Sequence, residues 1–249
     1  MQNKVVLITG VSSGLGRALA KYFMSRDCQV IGVARHTVDY EITRMVLADI
    51  TEADGRAKIA AAVAELSGGL DLLINNAGRG VYEFWAKESE EDLRQLFELN
   101  FFAPVELTKL LLPELTRNKG CIINISSAAS RIYIPCMGPY CASKAALAMF
   151  SNSLRVELRT KQVHVIDFCP GQINTGFSSR SSGELKPPDA PGRGSSSPEG
   201  LAASVYKAWG RRKAKSITYP RYIGPVMGIL RGIFPGFYEK AVSKVWKLR

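Results

Sequence analysis

The sequence predicts an α/β fold, a doubly wound parallel sheet in a single domain, and three observations carry that expectation. Short apolar runs alternate with longer helical patterns from residue 4 to residue 176. Those runs are hydrophobic nearly throughout rather than at every second residue, as expected of strands buried on both faces of a parallel sheet. A glycine-rich turn joins the first run to the first helical stretch, where a βα unit commonly meets a ligand.

Taken in order, the strand runs are 4–9, 29–34, 45–48, 70–75, 120–126 and 163–168. Helical patterns fill 14–27, 52–66, 89–117 and 138–160, the third expected to be two helices meeting at 100–104. The regular alternation stops near Gly176, and 177–200 is dominated by Ser, Gly and Pro. Too little chain follows for a second domain, so this segment is expected to be a mobile loop over a substrate site rather than a linker. Residues 211–249 read as a basic amphipathic C-terminal segment, a helical extension of the 1–249 domain.

Composition removes several classes of function. With 249 residues, 46% hydrophobic and 22% charged, the chain can bury a sizeable core. Its two histidines, His36 and His164, are too few for a multi-histidine metal site, and no metal is expected. The five cysteines are scattered without a Cys-x-x-Cys pair, so they read as reduced thiols in a reducing, cytoplasmic compartment. Met1 leads almost directly into Val5-Val6-Leu7-Ile8, so no signal peptide is expected. No apolar run approaches the about 18 residues of a spanning helix.

The net charge of +11 is local. Residues 211–249 hold ten lysines and arginines against Glu239 alone, nine of the eleven charges, which leaves the body near neutral. Ile229, Ile233, Phe234, Phe237, Tyr238, Val242, Val245 and Trp246 recur at helical spacing through it, interrupted by Pro235-Gly236. Basic residues beside an aromatic apolar face suit adsorption to an anionic membrane surface or contact with a lipid substrate. Packing on the core or across a dimer interface remains open as the other reading. Nucleic acid is not expected, because no recognised binding module accompanies the charge.

The turn Thr9-Gly10-Val11-Ser12-Ser13-Gly14-Leu15-Gly16 spaces its glycines as Gly-x-x-x-Gly-x-Gly. Such glycines let the backbone turn sharply and approach a pyrophosphate, whose charge then meets the helix N-terminus. The spacing is not the commoner Gly-x-Gly-x-x-Gly, and glycine-rich turns also occur for steric reasons, so the turn is a candidate phosphate-binding turn of a Rossmann-type fold. Gly10-Val11-Ser12-Ser13-Gly14 also fits the Gly-x-Ser-x-Gly nucleophile elbow, with His164 as a paper partner. That rival is weak, since the motif follows the first strand and His164 falls inside an apparent strand. Where a ribose-binding acid would end the second strand stands Ala34, followed by Arg35. A guanidinium suits a 2′-phosphate, so NADP(H) is expected in preference to NAD(H).

Tyr140-Cys141-Ala142-Ser143-Lys144 sets a phenol and an ammonium on one helix face. A nearby cation favours the phenolate and is expected to lower a tyrosine pKa from about 10. Such a group can protonate a carbonyl oxygen while a hydride arrives. Together with Thr9 to Gly16, the motifs Asn75-Asn76-Ala77-Gly78, Asn100, Ser127, Tyr140 to Lys144 and Pro170-Gly171 resemble the short-chain dehydrogenases/reductases, in order and in spacing, over about residues 4–176.

That resemblance implies roles residue by residue. Tyr140 is the general acid or base, and Lys144 lowers its pKa and binds the nicotinamide ribose. Ser127 polarises the substrate oxygen while its neighbour Ser126 is structural. Asn100 breaks a helix locally and anchors a proton-relaying water, unless it is a simple cap. Gly10, Ser12, Ser13, Gly14, Leu15 and Gly16 hold the pyrophosphate, Asp49 and Ile50 the adenine, and Asn76, Ala77 and Gly78 the adenosine side. Pro170, Gly171, Ile173 and Thr175 meet the nicotinamide carboxamide. The implied activity is interconversion of a carbonyl and a secondary alcohol, in a homodimer or homotetramer built through helices near 100–117 and 138–160. A catalytically silent dinucleotide-binding sensor or scaffold is the alternative. A bulky hydrophobic ketone is the expected substrate, from the apolar tail alone.

Overall fold

Seven parallel strands form one sheet in the computed structural model, which describes residues 3–66, 68–186, 195–212, 216–219, 229 and 232–245. They are β1 (Val5–Thr9), β2 (Gln29–Ala34), β3 (Arg44–Leu47), β4 (Leu72–Asn75), β5 (Cys121–Ile125), β6 (His164–Pro170) and β7 (Ser216–Tyr219). Their order is β3-β2-β1-β4-β5-β6-β7, so the winding reverses between β1 and β4. A crevice opens outside the carboxyl ends of the strands at such a reversal. Strands β1, β4 and β5 are buried at every position, matching their unbroken apolar runs.

Helices cover both faces. On one side α1 (Gly14–Met24) and α6 (Pro198–Arg211) pack together. Leu15, Leu19 and Phe23 recur at i and i+4 along α1, and Phe23 stacks on Trp209 of α6 at 5.7 Å. On the other side lie α2 (Ala53–Ala64), α4 (Ala103–Arg117) and α5 (Gly138–Glu157), where Leu107, Leu111 and Leu115 of α4 are fully buried. Between α3 (Glu90–Phe97) and α4 the chain does not break as expected at 100–104. It runs through a π-turn, Glu98–Phe102, that inserts a residue while keeping the helix continuous.

Helix α6 and strand β7 fall where the regular pattern was expected to have stopped. Ser197 caps α6, its hydroxyl accepting from the Gly200 amide at 3.1 Å, and Pro198 takes the first turn. Leu201, Ala202, Val205, Ala208 and Trp209 then face the core. A last helix, α7 (Pro235–Val245), is tied down by Tyr238, buried edge-on against Tyr133 at 4.9 Å and donating to its carbonyl at 2.7 Å. Ile233, Phe234 and Phe237 stay exposed. Trp246 and the basic residues Lys213, Lys215, Arg221, Arg231, Lys247 and Arg249 lie outside the described residues. All five cysteines are free and buried. Among the described residues no helix is long and apolar enough to cross a membrane, and no cluster suits a metal ion.

Candidate active site

A cleft of about 1180 Å³ opens over the carboxyl ends of β1, β4, β5 and β6, and every sequence-predicted site residue except Asn100 lines it. Its floor is the glycine turn. Gly10 (φ +75°) and Gly14 (φ +53°) take the left-handed conformation that side chains disfavour. Gly16 is needed for space: a Cβ there would lie 2.0 Å from the Gly10 carbonyl oxygen. Ser13 precedes α1 without a side-chain cap, so the first amides of the helix are left for an anion in the cleft. Thr9 and Asn76 lock the turn to β4. The Thr9 hydroxyl accepts from the amides of Asn76 and Ala77 at 3.0 Å each, and Asn76 donates back to the Thr9 carbonyl at 2.9 Å.

At one end of the cleft Arg35 follows β2, its side chain 72% exposed and 4.0 Å from the Asp49 carboxylate. An exposed pair at that separation is weak, leaving the guanidinium available. Asp49 is otherwise occupied at home, accepting from the Thr51 amide at 2.9 Å and hydroxyl at 2.7 Å.

At the other end stand Ser127, Tyr140 and Lys144. Ser127 leaves β5 in an extended conformation and caps the single turn Ala128–Ser130, its hydroxyl accepting from the Ala129 amide at 3.1 Å. A hydrogen bond joins Ser127 to the Tyr140 phenol. Lys144, on the same face of α5, donates to the Ile125 carbonyl at 3.0 Å, with its nitrogen 6.0 Å from the Tyr140 ring centre.

Both groups are buried, and burial corrects one expectation. Desolvation raises the Tyr140 phenol above its ordinary value, outweighing the opposing Ser127 hydrogen bond. Lys144 therefore does not by itself bring the phenol toward neutrality. Its own ammonium is pushed down to about 8 by burial, with the Asp167 charge working the other way.

Asn100 sits behind the cleft, in the π-turn, fully buried. It is no helix cap. Its side chain clamps the Arg79 backbone, accepting from the amide at 3.0 Å and donating to the carbonyl at 2.9 Å, and also donates to Ser143 at 3.0 Å. Gly78 lies in front of it, where a Cβ would meet Asn100 Oδ1 at 3.0 Å and Lys144 Nζ at 3.2 Å. The glycine thus keeps open the route between them.

The described part of 177–200 is strapped across the cleft. Tyr82 and Ser182 exchange backbone bonds with this segment, Tyr82 N to Ser182 O at 3.0 Å and Ser182 N to Gly80 O at 3.1 Å. Ser196 pairs with Gln172 and Asn174 beside Ile173. Residues 187–194 lie outside the described residues. Phe177 reaches within 5.7 Å of the Tyr140 ring, and Arg180 lies against Gly14 and Thr175. No motif flagged Phe177, Tyr82 or Arg180; the only signal was the loop itself. The nucleophile-elbow reading fails on distance along the sheet. His164 begins β6, pairing with Cys121 at the opposite edge from Ser12, and burial lowers its pKa.

The model of the family described as short chain dehydrogenase matches residues 4–185. A dehydrogenase/reductase SDR family protein 7-like from Anopheles gambiae is 33% identical over 98% of this chain and 83% of its own length. A 3-ketodihydrosphingosine reductase from Bacteroides thetaiotaomicron is 34% identical, covering 72% of this chain and 67% of its own. Among solved structures, a short chain dehydrogenase from Burkholderia cenocepacia in complex with NADP superposes with a TM-score of 0.80 at 25% identity, covering 96% of this chain and 97% of the other.

Proposed function

The chain is an oxidoreductase of the short-chain dehydrogenase family, and on that premise we propose that it reduces a bulky apolar ketone to a secondary alcohol, using NADPH. One observation carries the reading: Ser127, Tyr140 and Lys144 meet at one end of a cleft whose floor is a turn that tolerates only glycine. The fit to a dinucleotide rests on that turn and on the uncapped start of α1.

When bound, the nicotinamide supplies the hydride. Tyr140 gives its proton to the carbonyl oxygen, and Ser127 holds that oxygen by a hydrogen bond. Burial keeps the Tyr140 phenol protonated, the form from which a general acid must start. Lys144 supports the phenolate left behind, and its ammonium form prevails below about pH 8. Asn100 holds the Arg79 backbone and Ser143 of α5 in place behind it. A silent sensor would gain nothing from a buried ammonium facing a buried phenol, and no feature favours that alternative.

Arg35 is the group proposed to select the 2′-phosphate. Arg35→Ala is expected to weaken NADPH binding about tenfold, at the low end for charge-assisted contacts, while NADH binding changes little. Fluorescence titration of both cofactors checks this. Tighter binding of NADH than of NADPH by the unaltered protein would overturn the preference.

Ile132, Ile134, Met137 and Phe177 give the cleft an apolar wall, which supports a hydrophobic ketone, as does the similarity to a 3-ketodihydrosphingosine reductase. We further propose assembly through α4 and α5, where Leu110, Met149 and Val156 are 48%, 69% and 74% exposed. The exposed Ile233 and Phe234 just before α7 and Phe237 within it, in a segment of charge +9, support contact with an anionic membrane surface, and the five free cysteines support a reducing compartment. Co-sedimentation with vesicles containing anionic lipid is expected for the full chain and lost in Phe234→Glu/Phe237→Glu. Equal, negligible sedimentation of both would refute the membrane contact.

A further inference from the structure

Behind Ser127, on the side away from the glycine turn, lies a buried charge that the reaction as described does not use. Asp167, in the middle of β6, has no solvent exposure. Its carboxylate accepts from the hydroxyl of Ser126 at the end of β5, from Arg131 Nη2 at 2.7 Å and from the hydroxyl of Ser216 in β7 at 2.7 Å. The Cys169 thiol lies 3.2 Å from the same oxygen that Arg131 meets. Arg131, which follows the Ser127-capped turn, also bonds the Ser216 hydroxyl, and its side chain is 33% exposed. One carboxylate therefore ties together β5, β6, β7 and the turn whose first residue is Ser127.

A bare carboxylate at this depth is costly, and purely apolar packing would hold a sheet equally well. The cluster sits where the fold has least need of it and the site has most. Ser126 and Ser127 are consecutive, so fixing the Ser126 hydroxyl on β6 fixes the direction in which Ser127 leaves β5. Arg131 in turn leads into Ile132 and Ile134, which wall the cleft.

We propose that Asp167 is a positioning residue for the carbonyl chemistry: gripped by Arg131, Ser126 and Ser216, its carboxylate sets the strand end and turn that present Ser127 to the substrate. This rests on the reading of Ser127 and Lys144 given above. The same carboxylate acts on Lys144 from β6. The other groups around that ammonium are the Tyr140 phenol on its own helix, the uncharged Asn100 from the π-turn and the Ile125 carbonyl from β5. Asp167 is the anion that opposes the effect of burial on Lys144, burial remaining the larger of the two. Arg131 from the turn and Arg155 from α5 are the cations that share its field.

Three variants separate positioning from mere support. Asp167→Asn keeps size and one accepting oxygen but removes the charge and turns the other acceptor into a donor. It should bind NADPH within about twofold of the unaltered protein, lose about tenfold in kcat, and move the alkaline limb of kcat/KM to lower pH by about one unit. Arg131→Met removes one of the groups that grip the carboxylate, so kcat should fall several-fold with NADPH binding within about twofold, and Arg131→Lys, which restores a cation there, should recover most of the loss. Rescue by the conservative variant is what a merely structural role would not produce. If Asp167→Asn does not fold, the partly exposed position of Arg131 lets this pair decide alone: rescue by lysine supports the proposal, and an unchanged kcat in Arg131→Met overturns it. An unmoved limb in Asp167→Asn, with only melting temperature lowered, overturns it as well. Side-chain NMR of labelled Lys144 reads the same shift without turnover. An unaltered protein that reduces no carbonyl therefore counts against the proposed reaction, not against the Asp167 coupling.

Discussion

Tyr140→Phe is expected to abolish turnover by about a thousandfold while leaving NADPH binding within about twofold, the range typical for loss of a positioned acid. The ring stays: Tyr140 is 7% exposed and packs against Phe177. Ser127 keeps the bond it accepts from the Ala129 amide, and its O–H, partly exposed in the cleft, can turn to water once the phenol oxygen is gone. Removal of a buried oxygen whose proton is the reactive group should change rate and little else. Unchanged melting temperature with lost kcat is the expected pair of results. Turnover that survives the substitution would remove Tyr140 from the chemistry.

Gly16→Ala should be as damaging at the other end of the cleft, by a different route. The added Cβ would stand 2.0 Å from the Gly10 carbonyl oxygen and 2.6 Å from Asn76 Nδ2. The first contact is backbone, which no rotamer change can relieve. The turn must open, moving Gly10 off Thr9 and Asn76, at an overpacking cost of about 1–3 kcal/mol. NADPH affinity is expected to fall about a hundredfold, since a 1.4 kcal/mol loss is already tenfold. Gly236→Ala is the matched control, having nothing within 4 Å of an added Cβ, and should be silent in both melting and cofactor titration. Equal affinities in the two variants would mean that the turn does not hold the cofactor.

The parts of this protein that were legible in the sequence are those whose chemistry is local. The glycine spacing, the Tyr140–Lys144 helix face and the unbroken apolar strands each declare themselves within a few residues. Asn100 was singled out, but its work was not: a π-turn is invisible in a pattern of period 3.6, so the expected break and cap became a continuous helix clamping Arg79. Helix α6 was missed because the Ser- and Pro-rich stretch before it masked an ordinary capped start at Ser197 and Pro198. Strand β7 is only four residues long and gains its identity from pairing with β6.

Long-range electrostatics were the least legible. Asp167 and Arg131 lie 36 residues apart, and neither stands in a motif. The sign of the Tyr140 shift also depended on burial, which tertiary packing alone decides. Sequence adjacency suggested a cation lowering a phenol. The folded site desolvates both, which suits a proton donor better than a standing phenolate.

The central question for this cleft is whether it passes a hydride to a carbonyl while Tyr140 passes the proton. NADPH deuterated at the transferring carbon of the nicotinamide, incubated with a panel of apolar ketones, tests both halves through the mass of the product alcohol. The unaltered protein should yield an alcohol carrying the label on the former carbonyl carbon, and Tyr140→Phe, with NADPH still bound, should yield almost none. Unlabelled alcohol, or labelled alcohol formed equally fast by both proteins, would contradict that mechanism.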